Sequence, residues 1–329
     1  MTKDKPTFDS SWGRIGGKDI FTSKDKKFRE YRNKWKQFPK NFVVGDFPLQ
    51  LDIEPTNRCN LACHFCYARI EEQGFKKKDI DFHLVRKLID EGSENSLYAV
   101  KFSLGGEPLL HKDIVKMIEY SKKKGISDVF FNTNGTLLTE NMIYDLIGAD
   151  LDRITISVEG YTKDIYEKCR KGAKFETILS NLQNLKKIRQ SIKSENPKIR
   201  IQTVLLPETR TDLNNYGKFW SQFADEVSYG EFRDEKKSYS GLIHNWSCPQ
   251  LWQRLAILSD GSILPCCYKI RKDMIIGNAA DMTIKEVWHG VKLNHYRKLH
   301  KTGRAHEIPF CDDCSFRAHE ITTLRNNQI

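Results

Sequence analysis

No stretch of this sequence is long and apolar enough to cross a bilayer. Its longest hydrophobic runs, such as Leu255 to Leu258, fall far below the ~20 residues that a spanning helix needs. The opening residues Met1-Thr2-Lys3-Asp4-Lys5 lead into no apolar signal core, and the expected location is cytoplasmic, with no membrane partner. Internal repeats and low-complexity tracts are also lacking. So is an even set of cysteines: there are nine, and an odd number in an unsecreted chain argues against a disulfide framework. Hydrophobic residues are 39% and charged residues 29%, an ordinary globular balance, and 329 residues suffice for one large domain or two modest ones.

What is present is clustered. Eight cysteines fall in two zones, Cys59 to Cys66 and Cys248 to Cys314, while Cys169 stands alone and reads as structural. Grouped thiols in a reducing compartment point to metal or cluster ligation. The formal charge of +11 is concentrated before residue 48, where Lys24, Lys26, Lys27, Arg29, Arg32, Lys34 and Lys36 crowd together. Such a stretch is either a solvated Lys-rich face or a surface that gathers anions. Phe28, Tyr31 and Trp35 recur at helical spacing within it, which reads as the packing side of an amphipathic helix more than a base-stacking platform.

From residue 49 onward, β-rich runs alternate with helical patterns. Strands are predicted over 49–55, 97–104, 128–132, 153–158, 198–206 and 226–232, and helices over 82–91, 111–124, 139–147, 175–190 and 213–224. This order implies an α/β fold with a parallel sheet and right-handed crossovers. Six units fall short of the ~250 residues of a complete eight-fold barrel, so a partial (β/α)6 TIM-like barrel is expected, with a doubly wound sheet as the other option. Either fold places its ligand at the C-terminal strand ends. The cysteines, Gly105-Gly106-Glu107-Pro108, Thr133-Asn134-Gly135 and Ser157-Val158-Glu159-Gly160 follow strands one to four. The expected division is a basic extension (1–48), the barrel (49–234), a linker (235–246), a small cysteine-bearing domain (247–318) and a tail (319–329) that frays from Thr322 onward.

Cys59, Cys63 and Cys66 place three thiolates where a wrapped loop can bring them onto one small inorganic core, and iron–sulfur clusters take such ligands. Three ligands for four irons leave one iron open. His64 is expected to point away from that core. A closed zinc site is the competing reading, but it wants four ligands that usually arrive as two pairs.

Cys59-x3-Cys63-x-Phe65-Cys66, with an aromatic before the last cysteine, resembles the signature of the radical S-adenosylmethionine (radical SAM) superfamily. Gly105-Gly106-Glu107-Pro108 resembles that family's GGEP motif, and the lead-in Asp52-Ile-Glu-Pro-Thr-Asn-Arg-Cys59-Asn-Leu61 is similar too. The resemblance runs from residue 49 to about 318. It implies a [4Fe–4S] cluster on Cys59, Cys63 and Cys66 whose open iron is chelated by the methionyl amine and carboxylate of S-adenosylmethionine (AdoMet). Reduction then breaks the C5′–S bond, and a 5′-deoxyadenosyl radical removes a hydrogen atom from substrate. Phe65 and Tyr67 fall at the cofactor. Gly105 and Gly106, with Glu107 and Pro108, meet the methionyl ammonium. Arg170 matches an arginine that clamps the AdoMet carboxylate, with a surface ion pair as its alternative. Ser157 and Glu159 suit ribose or amino-acid groups, although similar proteins often carry Asp where Glu159 stands. Ser157 alternatively makes a strand-end hydrogen bond. Asn134 either reaches the cofactor or is a plain turn residue before Gly135.

Cys248, Cys266, Cys311 and Cys314, taken alone, suit zinc or a cubane equally. Their surroundings, Gly261-Ser-Ile-Leu-Pro-Cys266-Cys267, Ile276-Gly-Asn278, Val287-Trp288 and Arg297, resemble the SPASM/twitch extension of radical SAM enzymes. No suitable cysteine follows Cys314, so one auxiliary [4Fe–4S] cluster on these four thiolates is expected. It serves as electron acceptor or relay, or else as a structural staple. Cys267 is a swapping ligand, a hydrogen-atom donor or a small buried cysteine. One auxiliary cluster resembles the layout of twitch-type alcohol dehydrogenases. The expected reaction is oxidation or epimerisation of a small polar metabolite (a sugar, aminocyclitol or nucleotide-sugar), with the basic balance suiting an anionic one, and with a reductant such as flavodoxin or ferredoxin. The runner-up is a peptide-modifying maturase. A zinc-stabilised nucleic-acid-binding protein without catalysis stands last, since it leaves the two radical SAM motifs unexplained.

Overall fold

The computed structural model describes residues 12–23, 25–66, 75–234, 237–268 and 270–326. In chain order the strands are β1 (Trp12–Gly17), β2 (Gln50–Ile53), β3 (Ala99–Lys101), β4 (Asp128–Thr133), β5 (Arg153–Ser157), β6 (Lys198–Leu205), β7 (Glu226–Glu231), β8 (Arg254–Ile257), β9 (Ser262–Leu264) and β10 (Gly277–Asn278). The helices are α1 (Lys26–Asn41), α2 (Phe82–Glu94), α3 (Ile114–Lys123), α4 (Glu140–Gly148), α5 (Lys163–Cys169), α6 (Phe175–Ser191), α7 (Leu213–Trp220), α8 (Ile284–Trp288), α9 (Val291–Lys301), α10 (Pro309–Asp312) and α11 (Ser315–Asn326).

All the strands join one sheet in the order β1-β7-β6-β5-β4-β3-β2-β8-β9-β10. The six expected strands are present and parallel, with helices crossing between them. The two ends of the sheet do not meet, so the barrel is partial. β8 pairs with β2 in parallel, with Asp52 opposite Ala256. The C-terminal module is therefore not a separate body behind a linker: its first strand continues the barrel sheet, and β9 and β10 extend it antiparallel. Residues 237–246 form no helix or strand, yet they are tied down: Tyr239 N–H donates to Asp313 and Arg317 donates to the Leu242 carbonyl.

Period-two alternation explains why the barrel has two chemistries. Leu51, Ile53, Val100, Phe102, Val129, Phe131, Ile154, Ile156, Ile199 and Ile201 are buried and pack in the main core with α2, α3, α4 and α6. Most of the alternate residues face the lumen and are polar, with ion pairs Asp128–Arg153 at 2.6 Å, Arg200–Glu226 at 2.6 Å and Asp52–Arg254 at 2.9 Å. Burying these charges is tolerable only because each has a partner.

The base of the lumen is closed by the N-terminal extension. The Phe21 ring lies 4.5 Å from the Arg32 and Arg153 guanidinium centres and 4.8 Å from that of Arg200. Tyr31 donates to Gln50 Oε1 at 2.8 Å, and Arg254 sits 4.6 Å over the Trp35 ring. Phe28 and Tyr31 are buried on one side of α1, as their spacing predicts, while most of its lysines are exposed. β1 was not anticipated; it caps the sheet edge antiparallel to β7. The expected fraying of residues 322–329 is corrected in part: α11 continues to Asn326, and 327–329 lie outside the described residues. Replacing Asp128 by Ala strands the Arg153 guanidinium in the lumen, and stability should fall by roughly 3–5 kcal/mol, read as a lower midpoint in urea unfolding.

Candidate active site

The C-terminal strand ends surround a cavity of about 610 Å³, within the range of small-molecule sites. Its wall includes Cys59, Cys63 and Cys66 after β2, Gly105, Gly106 and Glu107 after β3, Asn134 after β4 and Ser157 at the end of β5. Phe65 and Arg170 also line it. Tyr67 lies outside the described residues. His64 is exposed and does not line the cavity.

The cysteine loop is gripped from two sides. On one, Glu107 N–H donates to the Arg58 carbonyl at 2.8 Å. A Cβ on Gly106 would fall 2.2 Å from the Thr56 carbonyl oxygen and 2.5 Å from that of Arg58, so only glycine lets these backbones approach. On the other side, Ala62 N–H donates to the Lys171 carbonyl at 2.8 Å, just beyond the end of α5. Arg58 also forms a fork with Asp79, at 2.6 and 2.8 Å through Nη2. Burial pushes the Cys63 thiol up to about 11. Ligation there must therefore displace a proton.

Two buried glutamates brace the strand ends. Glu107 accepts from Leu109 N–H (3.1 Å), Thr133 Oγ1 (2.7 Å) and Asn134 N–H (2.7 Å). Burial raises its pKa, and those same donors oppose the rise. Its carboxylate is thus engaged in tying β3 to β4, and of the motif's groups the Gly105 and Gly106 backbones are the freer ones at the cavity. Pro108 is buried, opens the short turn 108–110 and does not line the cavity. Glu54 accepts from Gly105 N–H (3.1 Å) and from Ser259 N–H (3.0 Å) and Oγ (2.9 Å). It bridges the ends of β2, β3 and β8. Sequence reasoning missed Glu54, because its partners come from distant loops.

Asn134 Nδ2 donates to Asn60 Oδ1 at 2.9 Å, while its Oδ1 accepts from Thr136 N–H and Oγ1. It is a turn residue and also holds the cysteine loop. Glu159 departs from its expected role. It is fully buried, bonded to Arg170 Nε and absent from the cavity wall, so it does not reach a ribose; it sits behind Arg170 and orients it. Arg170 spends Nε on that pair, and a guanidinium has further donors to offer. Its centre lies 5.6 Å from the Phe65 ring.

The other four thiols ring a smaller void. Cys248, Cys266, Cys311 and Cys314 line it together with Met274, His300, Phe310 and Arg317. Burial, then the neighbouring thiols, pushes Cys248, Cys266 and Cys311 upward, as a cluster of close sulfurs requires. A set of four thiolates around one void suits a cubane. His300 was not anticipated. Its Nδ1 accepts from Cys248 N–H at 3.1 Å, and its Nε2 is 3.4 Å from Cys311 Sγ. Burial and then Arg317 lower its pKa to about 3, and an Nδ1 that accepts leaves Nε2 as the nitrogen that carries a proton toward the Cys311 sulfur.

With this geometry in hand, the comparisons with known proteins are decisive for the family. Residues 53–217 match the radical SAM superfamily and residues 248–315 match the SPASM iron–sulfur cluster-binding domain. The chain belongs to the radical SAM superfamily. It is a radical SAM enzyme with a C-terminal SPASM domain, and its cofactors are AdoMet, the AdoMet-binding [4Fe–4S] cluster and an auxiliary cluster. It is 26% identical over 197 residues to the probable GTP 3′,8-cyclase of Methanocaldococcus jannaschii, covering 60% of this chain and 63% of that one. It is 23% identical over 321 residues to the tungsten-containing aldehyde ferredoxin oxidoreductase cofactor-modifying protein of Pyrococcus furiosus, covering 81% and 87%. Among solved structures, BtrN in complex with AdoMet and 2-DOIA superposes with a TM-score of 0.58 at 17% identity, covering 82% of this chain and 94% of that one. Native anSMEcpe with AdoMet and the Cp18Cys peptide gives 0.59 at 19% identity, covering 77% and 83%. At such identities the two structures speak for the fold alone. Among the described residues no helix is long and apolar enough to cross a membrane.

Two outcomes follow from the site. Gly106→Ala forces the cysteine loop away from the GGEP turn, and 5′-deoxyadenosine formation by the reconstituted enzyme should fall at least tenfold. His300→Phe removes a donor from the Cys311 sulfur, and the auxiliary-cluster potential should drop in a redox titration followed by electron paramagnetic resonance.

Proposed function

We propose that this enzyme oxidises or epimerises a small polar metabolite, of the sugar, aminocyclitol or nucleotide-sugar class. Cys59, Cys63 and Cys66 hold the AdoMet-binding cluster in this reading, and Cys248, Cys266, Cys311 and Cys314 hold a single auxiliary one that accepts an electron. When bound, the reduced cluster and AdoMet supply a 5′-deoxyadenosyl radical able to remove a hydrogen atom from an unactivated carbon.

The observation that carries the substrate class is the polar ring facing the cavity. Lys101, Asn132, Ser157, Gln202 and Glu231 reach it from five consecutive strands, β3 to β7, and Arg233 follows β7. Hydroxyl, amine and phosphate groups find both donors and acceptors there, whereas an apolar substrate would leave them unpaired. Gly105, Gly106, Asn134, Ser157 and Arg170 are the residues suited to orient AdoMet, and Phe65 covers one side. The polar group of BtrN's 2-DOIA, an aminocyclitol, is of the same chemical kind. An external one-electron donor of the flavodoxin or ferredoxin type completes the system.

Anaerobic reconstitution should give about eight irons per chain, and Cys248→Ala about four. Incubation with AdoMet, dithionite and a panel of perdeuterated amino sugars, aminocyclitols, nucleotide-sugars, GTP and peptides reads the substrate as deuterium in 5′-deoxyadenosine. Transfer from a member of the first three groups is expected. Transfer only from GTP or only from a peptide would replace the reading.

A further inference from the structure

Lys101, on β3, is a half-buried cation that lines the large cavity. The carboxylate beside it in the β2–β3 register is Asp52. Both Asp52 oxygens are already engaged: Oδ2 accepts from Arg254 Nη1 at 2.9 Å, and Oδ1 accepts from Gln50 Nε2. Among the described residues Lys101 has no ion pair and no side-chain hydrogen bond. Deeper in the lumen the charges are matched one to one, as Asp128 with Arg153 and Arg200 with Glu226. A half-buried ammonium without a counter-ion carries a desolvation penalty that an incoming anion offsets.

The wall around Lys101 has the same sign. Lys76 and Lys77 line the cavity and make no ion pair among the described residues. Asn57 pins their strip to the rim: its Nδ2 donates to the Lys76 carbonyl and its Oδ1 accepts from Lys78 N–H, both at 2.8 Å. Arg233 lies 4.5 Å over the Tyr268 ring, and both residues line the cavity. The carboxylates of the wall are occupied. Glu54 and Glu107 are taken up by backbone and hydroxyl donors, Glu231 pairs with Arg210 at 2.9 Å, and Asp260 accepts from Ser262 N–H at 2.9 Å. A cleft lined by unmatched charge of one sign concentrates ligands of the other.

We propose that the cavity takes a substrate bearing a phosphate ester, with Lys101 as the ammonium that holds the phosphate. The assignment narrows the sugar, aminocyclitol and nucleotide-sugar reading to its phosphorylated members. It rests on that reading for the sugar, but not for the anion. A free aminocyclitol brings its own ammonium groups toward Lys101 and is repelled. A phosphate offers the charge and the lone pairs that an ammonium donor takes. Several cations on one wall suit a phosphate or diphosphate better than the single charge of a carboxylate. No bond to phosphorus forms or breaks: the phosphate is a handle that holds the sugar in place.

Inorganic pyrophosphate probes the anion site. Titrated calorimetrically into the cluster-loaded protein, with AdoMet present and no reductant, it should bind saturably. Lys101→Met should weaken that binding about tenfold, and Lys101→Arg should recover most of the loss. Lys40→Met, at an exposed position of α1, should leave it unchanged. No saturable binding, or equal affinity in Lys101→Met, would overturn the site. The second measurement needs only the wild type. Each perdeuterated sugar is supplied free, as its phosphate ester and as its nucleoside diphosphate ester, and deuterium in 5′-deoxyadenosine is read. Transfer confined to the esters is expected. Transfer from a free sugar, a uronate or a free aminocyclitol at an equal or higher rate would overturn the phosphate and keep the substrate class. Transfer only from GTP, alongside Lys101-dependent pyrophosphate binding, would reject the substrate class and keep the anion site.

Discussion

The pairing of β8 with β2, secured by the buried Asp52–Arg254 ion pair, is the junction on which the rest of the site depends. The polar lumen of a partial barrel has to be closed at one end and left open at the other. Aromatic side chains of the N-terminal extension close the base. The open end is shared: the cysteine loop, the GGEP turn and the ends of β4 to β7 supply most of the wall, and the continuation of the sheet through β8 brings Ser259 and Cys267 to the same cavity. Glu54 repeats the junction one layer higher by holding Gly105 and Ser259 together. Breaking either carboxylate contact leaves a charge buried without its partner, so the two modules are locked in register by electrostatics as much as by the sheet.

Bracing also pre-forms the end of the cavity proposed to take AdoMet. Glu107 and Glu159 both sit just behind the wall. The first ties β3 to β4, and the second fixes the Arg170 guanidinium. Preorganised groups of this kind cost no reorganisation when a charged cofactor arrives. At the auxiliary site the same role falls to His300, whose Nε2 faces the Cys311 sulfur while its Nδ1 accepts a hydrogen bond from the Cys248 backbone N–H.

Much of this was legible in the sequence. Alternation of strand and helix patterns located the six barrel strands, and cysteine spacing with Gly105-Gly106-Glu107-Pro108 pointed to loops that line one cavity. Less legible were features set by tertiary pairing. β8 is a short apolar run, and nothing local says that it extends the barrel instead of starting a new sheet. Glu159 stands at a strand end like a ligand, yet its orientation is decided by Arg170, which lies on the far side of α5. The opposite orientations of Cys266 and Cys267 follow from which sides of one loop the two cavities occupy. Residues 322–326 carry weak periodicity, and their helix is the continuation of one that begins at Ser315.

In the proposed function Cys59, Cys63 and Cys66, and not the thiols of the smaller void, hold the cluster to which AdoMet binds. Electron–nuclear double resonance on dithionite-reduced protein with AdoMet carrying 15N in its methionyl amine tests this directly. The account predicts a 15N hyperfine coupling on a reduced-cluster signal that survives Cys311→Ala and vanishes in Cys59→Ala. No coupling in the wild type, or a coupling that disappears with Cys311 and persists without Cys59, would contradict it.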